Sequence, residues 1–194
     1  INNSTTVFYT YTEDQEIFKT TDFGQTWAFR GTFEAEPWEV GMYVSPSDPD
    51  VLFVGDVECF RSLDGGHTWN LINNWWEYRN DRVEKLHSDM MYFNESKTID
   101  GTPFLLVSNH GGLSISYNNL ANVQNIGLQG LNVSQYYSVR GLPSTPDLVF
   151  AGSQDQGLQV GIVSDDGPVD MERIVGGDYA YIVFSNNDED LWTG

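Results

Sequence analysis

The chain has little positive charge, one cysteine and no long apolar segment, and each shortage excludes a class of protein. Nine basic residues stand against 28 acidic ones among 194, which gives a net charge of −19. Such a surface repels nucleic acids and anionic membranes, so we expect neither as a partner. Cys59 stands alone, which excludes an intrachain disulfide and a cysteine-rich zinc site. The longest apolar runs have the length of a strand, short of the roughly 18 residues of a membrane-spanning helix, so we expect no membrane insertion.

The composition indicates a folded domain, since 40% of the residues are hydrophobic and 14% are aromatic. The chain begins without an initiator methionine or a signal-peptide pattern. We therefore expect mature or excerpted material.

Two repeats are interleaved along the chain. The octapeptide pattern [Ser/Thr]-x-Asp-x-Gly-x-Thr-Trp occupies residues 20–27 and 62–69, an offset of 42 (62 minus 20). A second pattern, two apolar strands joined by a Pro/Asp/Ser turn, occupies residues 45–55 and 142–152 and, more loosely, 184–194. A fixed period of this length is typical of repeat architectures.

Each repeat unit predicts four short strands and almost no helix, because no segment keeps a 3.6-residue apolar period. The third and fourth strands are predicted at 59–62, 113–116 and 158–162, and at 69–72 and 171–175. Four strands every ~42 to 48 residues predict an all-β fold, a β-propeller of four-stranded antiparallel blades. We expect one partial propeller of about four blades in an incomplete ring, with approximate blades at 1–37, 38–85, 86–134, 135–177 and 178–194.

The octapeptide is predicted to be a structural turn. Its Asp accepts hydrogen bonds from the turn's own backbone, its Gly takes a backbone angle closed to other residues, its Thr hydroxyl locks the turn, and its Trp packs between sheets. These structural positions are Asp22, Gly24, Thr26 and Trp27 in the first copy, and Asp64, Gly66, Thr68 and Trp69 in the second.

At these residues the chain resembles a known family. The octapeptides are similar to the Asp-boxes, or bacterial neuraminidase repeats, of sialidases, xyloglucan-cleaving glycosidases and sortilin-type domains. Residues 130–139, 146–147, 152–157 and 176–178 resemble large secreted Asp-box propellers of bacteria. The resemblance covers nearly the whole chain. It implies a propeller and a secreted or cell-surface location, but not an activity.

Strand order predicts where a site should lie. The Pro/Asp turns and the octapeptides fall at one edge of each blade, and the second-to-third turns and the inter-blade connections, such as residues 34–39, fall at the other. At that second edge the candidate catalytic residues are Asp56, Asp89, Asp155 and Asp178. The candidate ligand-binding residues are Glu58, Trp75, Trp76, His87, His110, Gln154 and Tyr179.

Each candidate has a structural alternative. Trp75 and Trp76 either stack on sugar rings or cover a gap between blades. His87 and Asp89 either bind a metal or exchange protons, or form a hydrogen-bonded clasp within a strand. Asp155 and Asp178 stand beside glycine, so turn stabilisation competes with function. We expect no cofactor. A structural Ca²⁺ has no motif, because the acidic run 186–190 lacks the EF-hand pattern.

Two functions remain open. One is a recognition or scaffold propeller that binds a glycan or protein ligand, within a larger propeller or assembly. The other is a glycoside hydrolase acting through two carboxylates. Recognition is favoured because no residue set demands chemistry. A sialidase is disfavoured because Arg30 and Arg61 fall at the octapeptide edge, and a photosystem-assembly-factor-like propeller would need a basic groove, which the sequence does not show.

Overall fold

A computed structural model describes residues 6–34, 41–127, 130, 134–165 and 167–194. Almost all regular structure in these residues is extended, and the one helical element is a 3-10 helix at Trp75–Arg79. The strands are β1 (Phe8–Tyr11), β2 (Glu16–Thr20), β3 (Ala28–Thr32), β4 (Met42–Val44), β5 (Leu52–Gly55), β6 (Cys59–Ser62), β7 (Asn70–Leu71), β8 (Met90–Lys97), β9 (Pro103–Asn109), β10 (Gly112–Ser116), β11 (Gln124–Asn125), β12 (Tyr136–Leu142), β13 (Thr145–Ser153), β14 (Gly157–Ile162), β15 (Glu172–Val175), β16 (Ile182–Ser185) and β17 (Asp190–Thr193).

The strands pair with their sequence neighbours in antiparallel meanders. Sheet 1 has the order β1-β2-β3, sheet 2 β4-β5-β6-β7, sheet 3 β8-β9-β10-β11, sheet 4 β12-β13-β14-β15 and sheet 5 β16-β17. Successive four-stranded meanders of this kind are the blades of a β-propeller. The predicted fold class is therefore confirmed: the protein is an all-β propeller with an incomplete set of blades. Among the described residues no helix is long and apolar enough to cross a membrane.

The chain divides into two compact units, Ile1–Gln129 with sheets 1 to 3 and Gly130–Gly194 with sheets 4 and 5. In the first unit the blades pack face to face through two apolar clusters. Phe53 of sheet 2 stacks on Phe93 of sheet 3 with ring centroids 5.7 Å apart, and both rings are fully buried. Ile17 and Phe33 pack against Val54 between sheets 1 and 2. In the second unit Phe150 of sheet 4 meets Phe184 of sheet 5 edge to face at 5.1 Å.

The octapeptide turns contain the predicted hydrogen bonds. The backbone and hydroxyl of Thr68 donate to the two carboxylate oxygens of Asp64 at 2.9 and 2.6 Å. Thr26 donates to Asp22 in the same way at 2.9 and 2.6 Å. Gly66 has a φ of +89° and donates its N–H to the buried hydroxyl of Ser62. The turns therefore close on themselves.

A third turn of the same kind, which the sequence pattern did not reveal, follows β10. The hydroxyl of Ser116 accepts the N–H of Leu120 at 2.9 Å, and Asn118 Oδ1 accepts the N–H of Asn122 at 2.9 Å. Leu120 stands where the octapeptide has glycine and takes a φ of +62°. Residues 116–123 thus repeat the turn with Asn for Asp, Leu for Gly, Asn for Thr and Val for Trp.

The two octapeptide tryptophans have different environments, which corrects the prediction for Trp27. Trp69 stacks on Phe33 of the preceding blade at 4.6 Å, as expected. Trp27 is 45% exposed. It belongs to sheet 1, and no described residue before β1 forms a sheet that could cover it.

Candidate functional site

The octapeptide edge of the first unit is occupied by bonds within sheet 2 and between neighbouring blades. Gly65 donates its N–H to Asp50 O at 2.8 Å, and Arg30 Nε donates to Gly65 O at 2.9 Å. Lys19 Nζ forms an ion pair with Asp50 at 2.5 Å. In the same manner Arg61 donates to Asn119 O in the third turn at 2.6 Å. The positively charged side chains at this edge thus link neighbouring blades.

The opposite edge of the first unit, here called the loop edge, brings several candidates together. It comprises the turn 56–58, the turn 109–112 and the connection 73–89. Met90 donates its N–H to Asp56 O at 3.0 Å, and Asp89 donates its N–H to Val57 O at 2.9 Å. Glu58 Oε1 accepts the N–H of Trp75 at 3.0 Å. The candidates of this unit therefore share one edge, held by loop-to-loop hydrogen bonds.

A partly buried His–Asp cluster lies within the loop edge. Asp89 Oδ2 stands 3.1 Å from His110 Nδ1 and accepts the hydroxyl of Ser88 at 3.1 Å. The ring of His87 contacts Ser88 O at 3.1 Å through Nδ1 and meets Tyr78 edge to face at 4.7 Å. Asp89 pairs with His110, 21 positions away (110 minus 89), and residues 87–89 precede β8. The Ser88 hydroxyl also lies 3.2 Å from His87 Nδ1, so His87 and Asp89 are linked locally through Ser88, in the segment before β8 and not within a strand.

The backbone around this cluster leaves little freedom. Asp89 has a φ of +63°, in the left-handed region that Asp and Asn enter more readily than most residues. A Cβ added at Gly111 would lie 2.4 Å from His87 Cβ, so only glycine lets the imidazole approach this closely. One ligand atom of His87 lies within 4.8 Å of one of Asp89, and these two could share a cation.

Trp75 and Trp76 lie on the 3-10 helix at the outside of the loop edge. They are 41% and 49% exposed and meet edge to face at 5.9 Å. Each of the two side chains is therefore about half accessible to solvent. Glu77 anchors the helix, because its Oε1 accepts the N–H and side-chain amide of Asn74, both at 2.9 Å, and its Oε2 contacts Lys85 Nζ at 2.8 Å.

The charge of Glu77 is held by these partners. The Lys85 ammonium first, and then the bonds from Asn74, lower the pKa of the Glu77 carboxyl to about 2. Arg79, at the end of the helix, lies with its guanidinium carbon 4.7 Å from the centre of the Trp75 ring. Sequence reasoning did not single out Arg79. The signal was available, since Arg79 follows Trp75 by four positions and Trp76 by three.

In the second unit the remaining candidates also meet. Asp155 donates its N–H to Asp178 Oδ1 at 2.6 Å, and Tyr179 donates its N–H to Ser153 O at 3.3 Å. Gln156 donates its N–H to Gln154 O at 2.7 Å, and Asp155 has a φ of +60°. Asp178 thus holds a left-handed turn, the structural role weighed against catalysis for this pair. Of the connection 34–39, residues 35–39 lie outside the described part of the chain.

The comparisons with known proteins show similarity to solved structures only, since no family model and no curated protein matches. The extracellular domain of a putative hybrid two-component system from B. thetaiotaomicron is 12% identical, with a TM-score of 0.40 over 99% of this chain and 28% of that one. A GH74 xyloglucanase from Xanthomonas campestris is 12% identical, with a TM-score of 0.40 over 85% of this chain and 36% of that one. YCF48 from Cyanidioschyzon merolae is 12% identical, with a TM-score of 0.36 over 96% of this chain and 62% of that one. The chain thus spans less than two thirds of each of these structures, and such identities bear on no activity or partner.

Proposed function

We propose that this chain is part of an extracellular or cell-surface recognition propeller of the Asp-box family, and that it binds a glycan at the loop edge of its first unit. The observation that carries the proposal is the pair Trp75 and Trp76, two adjacent exposed indoles on a helix that Glu58, Asn74 and Lys85 anchor. Family membership is supported by the two octapeptides and by their shared hydrogen bonds.

Exposed indoles on a fixed element suit a sugar ring. Aromatic faces pack against the C–H face of a pyranose, and the polar groups beside them accept or donate bonds to its hydroxyls. The backbone bond from Trp75 to Glu58 and the capping of the helix by Glu77 hold both rings before a ligand arrives. Binding to a rigid platform costs less ordering of side chains than binding to a mobile one.

The carboxylates of the loop edge support recognition rather than hydrolysis. A glycosidase needs one carboxyl group that gives up a proton and a second that attacks or activates water. Here Glu58 accepts a backbone N–H from the helix, and Asp89 is paired with His110. Asp56 Oδ1 accepts the N–H of Val57 at 2.6 Å. Each carboxylate is engaged in holding a loop.

Replacing Trp76 with alanine is expected to weaken glycan binding by about tenfold or more, because exposed tryptophans at binding sites dominate the energy of contact. The measurement is isothermal titration calorimetry of the whole chain with soluble xyloglucan, mixed-linkage β-glucan, polygalacturonate and a sialylated oligosaccharide. Trp27→Ala is the matched control, since Trp27 is similarly exposed, in the same unit, but at the octapeptide edge. It should leave the affinity unchanged.

Three results would overturn the proposal. One is the absence of binding to every glycan, in which case a protein ligand becomes the better hypothesis. Another is equal loss in Trp27→Ala and Trp76→Ala. The third is turnover of any of these substrates that Asp89→Asn or Asp178→Asn abolishes, which would establish the hydrolase.

A further inference from the structure

Arg79, which contacts the ring of Trp75, and Arg82, three positions further along the chain, lack a carboxylate partner among the described residues, although acidic residues outnumber basic ones by 28 to nine. Within the described ranges Lys19 pairs with Asp50 and Lys85 with Glu77, whereas neither Arg79 nor Arg82 is in an ion pair with an acidic side chain. Other arginines of the chain, such as Arg140 and Arg173, are likewise in no ion pair with a carboxylate among the described residues. Arg79 and Arg82 stand within three positions of each other, and Arg79 contacts an exposed indole.

The nearest carboxylates in sequence are committed elsewhere. Both oxygens of Glu77 are used, one by Asn74 and the other by Lys85. Asp81 Oδ1 accepts the N–H groups of Val83 at 3.2 Å and Glu84 at 2.9 Å. The neighbouring carboxylates therefore stabilise the conformation of the connection, and the guanidinium of Arg79 is available to bind another anion.

The position of Arg79 on Trp75 prepares it for a planar anion. A guanidinium that lies over an indole uses its flat face and keeps its N–H edge directed away from the ring. That edge matches a carboxylate through two parallel hydrogen bonds. In a 3-10 helix the side chains at positions i and i+3 lie on the same side, which places Arg79 on the side of Trp76.

We infer that the glycan bound at the loop edge carries carboxylates, as a polymer of uronic acid does, with a sugar ring on Trp76 and its carboxylate on Arg79. This inference rests on the proposed function and specifies its ligand. Arg79 already covers one face of Trp75, so Trp76 offers the stacking surface. Arg82 adds a second positive charge to the same connection.

The acidity of the remaining surface opposes the binding of an acidic glycan. With a net charge of −19 the protein repels a polyanion at long range, although salt near 0.15 M limits that repulsion to about 8 Å. Association with a polyuronate therefore depends on contacts at the local cations. Removal of Arg79 should have a large effect, because nine basic residues stand against 28 acidic ones and few of them can take its place.

The experiment compares oligogalacturonate with its fully methyl-esterified form, two ligands that share a sugar backbone and differ in charge. Titration calorimetry with the whole chain, in a buffer containing a chelator, should show at least tenfold tighter binding of the acid than of the ester. Arg79→Gln should weaken binding of the acid by roughly 10- to 100-fold, the range expected for lost charged hydrogen bonds, and should leave the ester unchanged. Arg79→Lys should recover only part of the loss, because an ammonium cannot form the paired bonds. Arg173→Gln, at an exposed arginine of the second unit, is the control and should match the unmodified protein.

Equal affinity for the acid and the ester, with both lost in Trp76→Ala, would overturn the inference and leave the proposed function standing. Absence of binding of any glycan to the unmodified protein would overturn both the inference and the proposed function. If oligoglutamate bound as tightly as oligogalacturonate, the site would recognise negative charge without a sugar ring. That result would also contradict the inference. Circular dichroism of each variant verifies that its fold is retained.

Discussion

Gly157→Ala is expected to lower the free energy of unfolding by about 3 kcal/mol or more. This loss has two causes, the cost of a left-handed backbone for alanine and a steric clash of its Cβ. Gly157 begins β14 with a φ of +87°. A Cβ at this position would stand 1.9 Å from Val175 O in β15. That oxygen belongs to the backbone of a paired strand, so relief of the clash requires β14 and β15 to separate. Urea denaturation followed by circular dichroism measures the loss.

Gly101→Ala is the matched control for this substitution. Gly101 has a φ of +88°, and no atom lies within 4 Å of the position where its Cβ would be. It therefore carries the backbone cost alone, about 1 to 2 kcal/mol. Equal losses in the two variants would contradict the close approach of Val175 to Gly157. A larger loss at Gly157 isolates the steric component.

Strand positions could be predicted closely because their signals are local. The strand predicted at 59–62 is observed at Cys59–Ser62, and the one predicted at 113–116 at Gly112–Ser116. Alternating apolar residues between turn-forming residues contain that information within ten positions. The strand predicted at 69–72 is shorter, Asn70–Leu71, and Trp69, just before it, stacks on Phe33.

The third octapeptide-like turn shows why residue identity is an incomplete signal. Asn118 can replace Asp because its Oδ1 accepts the same backbone N–H. Leu120 takes a positive φ although it is not glycine, and its side chain is buried in the core. The requirement is for an acceptor, a hydroxyl and a left-handed residue at fixed spacing. A pattern that admits Asn at the acceptor position would match Ser116 and Asn118, but leucine at the left-handed position gives no signal.

The candidate site depended on contacts that no local signal contains. Strand order predicts which turns are neighbours, and hydrogen bonds between loops link candidates within each unit. The pairing of Asp89 with His110 instead requires the packing of the connection 73–89 against the turn after β9. The exposure of Trp75 and Trp76 likewise follows from the helix lying outside the blades, and a sequence of two tryptophans is equally compatible with burial.

Asp64→Ala is expected to destabilise the protein by roughly 2 to 4 kcal/mol, because it removes a charged acceptor of several hydrogen bonds. The carboxylate accepts the N–H of His67 at 3.0 Å and the hydroxyl of Ser62 at 2.8 Å, besides both donors of Thr68. The carbonyl groups of the same turn accept Arg30 from the preceding blade, so a disordered turn also loosens the contact between sheets 1 and 2. Urea denaturation at pH 7 gives the difference.

Asn118→Ala and Asp64→Asn separate the contributions to that loss. Asn118 supports the third turn as a neutral acceptor, so its removal should cost only about 1 kcal/mol. Asp64→Asn keeps an acceptor for the backbone of Thr68 and should fall between the two alanine variants. If Asp64→Ala cost no more than Asn118→Ala, the charge of the carboxylate would have no role in the turn.

The negative charge of Asp64 also makes the free energy of unfolding depend on pH. Burial by itself would raise the pKa of Asp64, but the bonds from Thr68, Ser62 and His67 outweigh it and bring the pKa to about 2, below the ordinary 3.8. A carboxyl group whose pKa is depressed in the folded state stabilises that state above about pH 4, and the benefit is lost as the pH falls towards 2. The free energy of unfolding should therefore decline between pH 4 and pH 2, and Asp64→Asn should show a shallower decline than the unmodified protein. Asp22, whose pKa the donors of Thr26 and Thr20 lower to about 2, titrates in both proteins and accounts for part of the decline that remains. Parallel curves for the two proteins would mean that the Asp64 carboxylate gains nothing from its donors on folding.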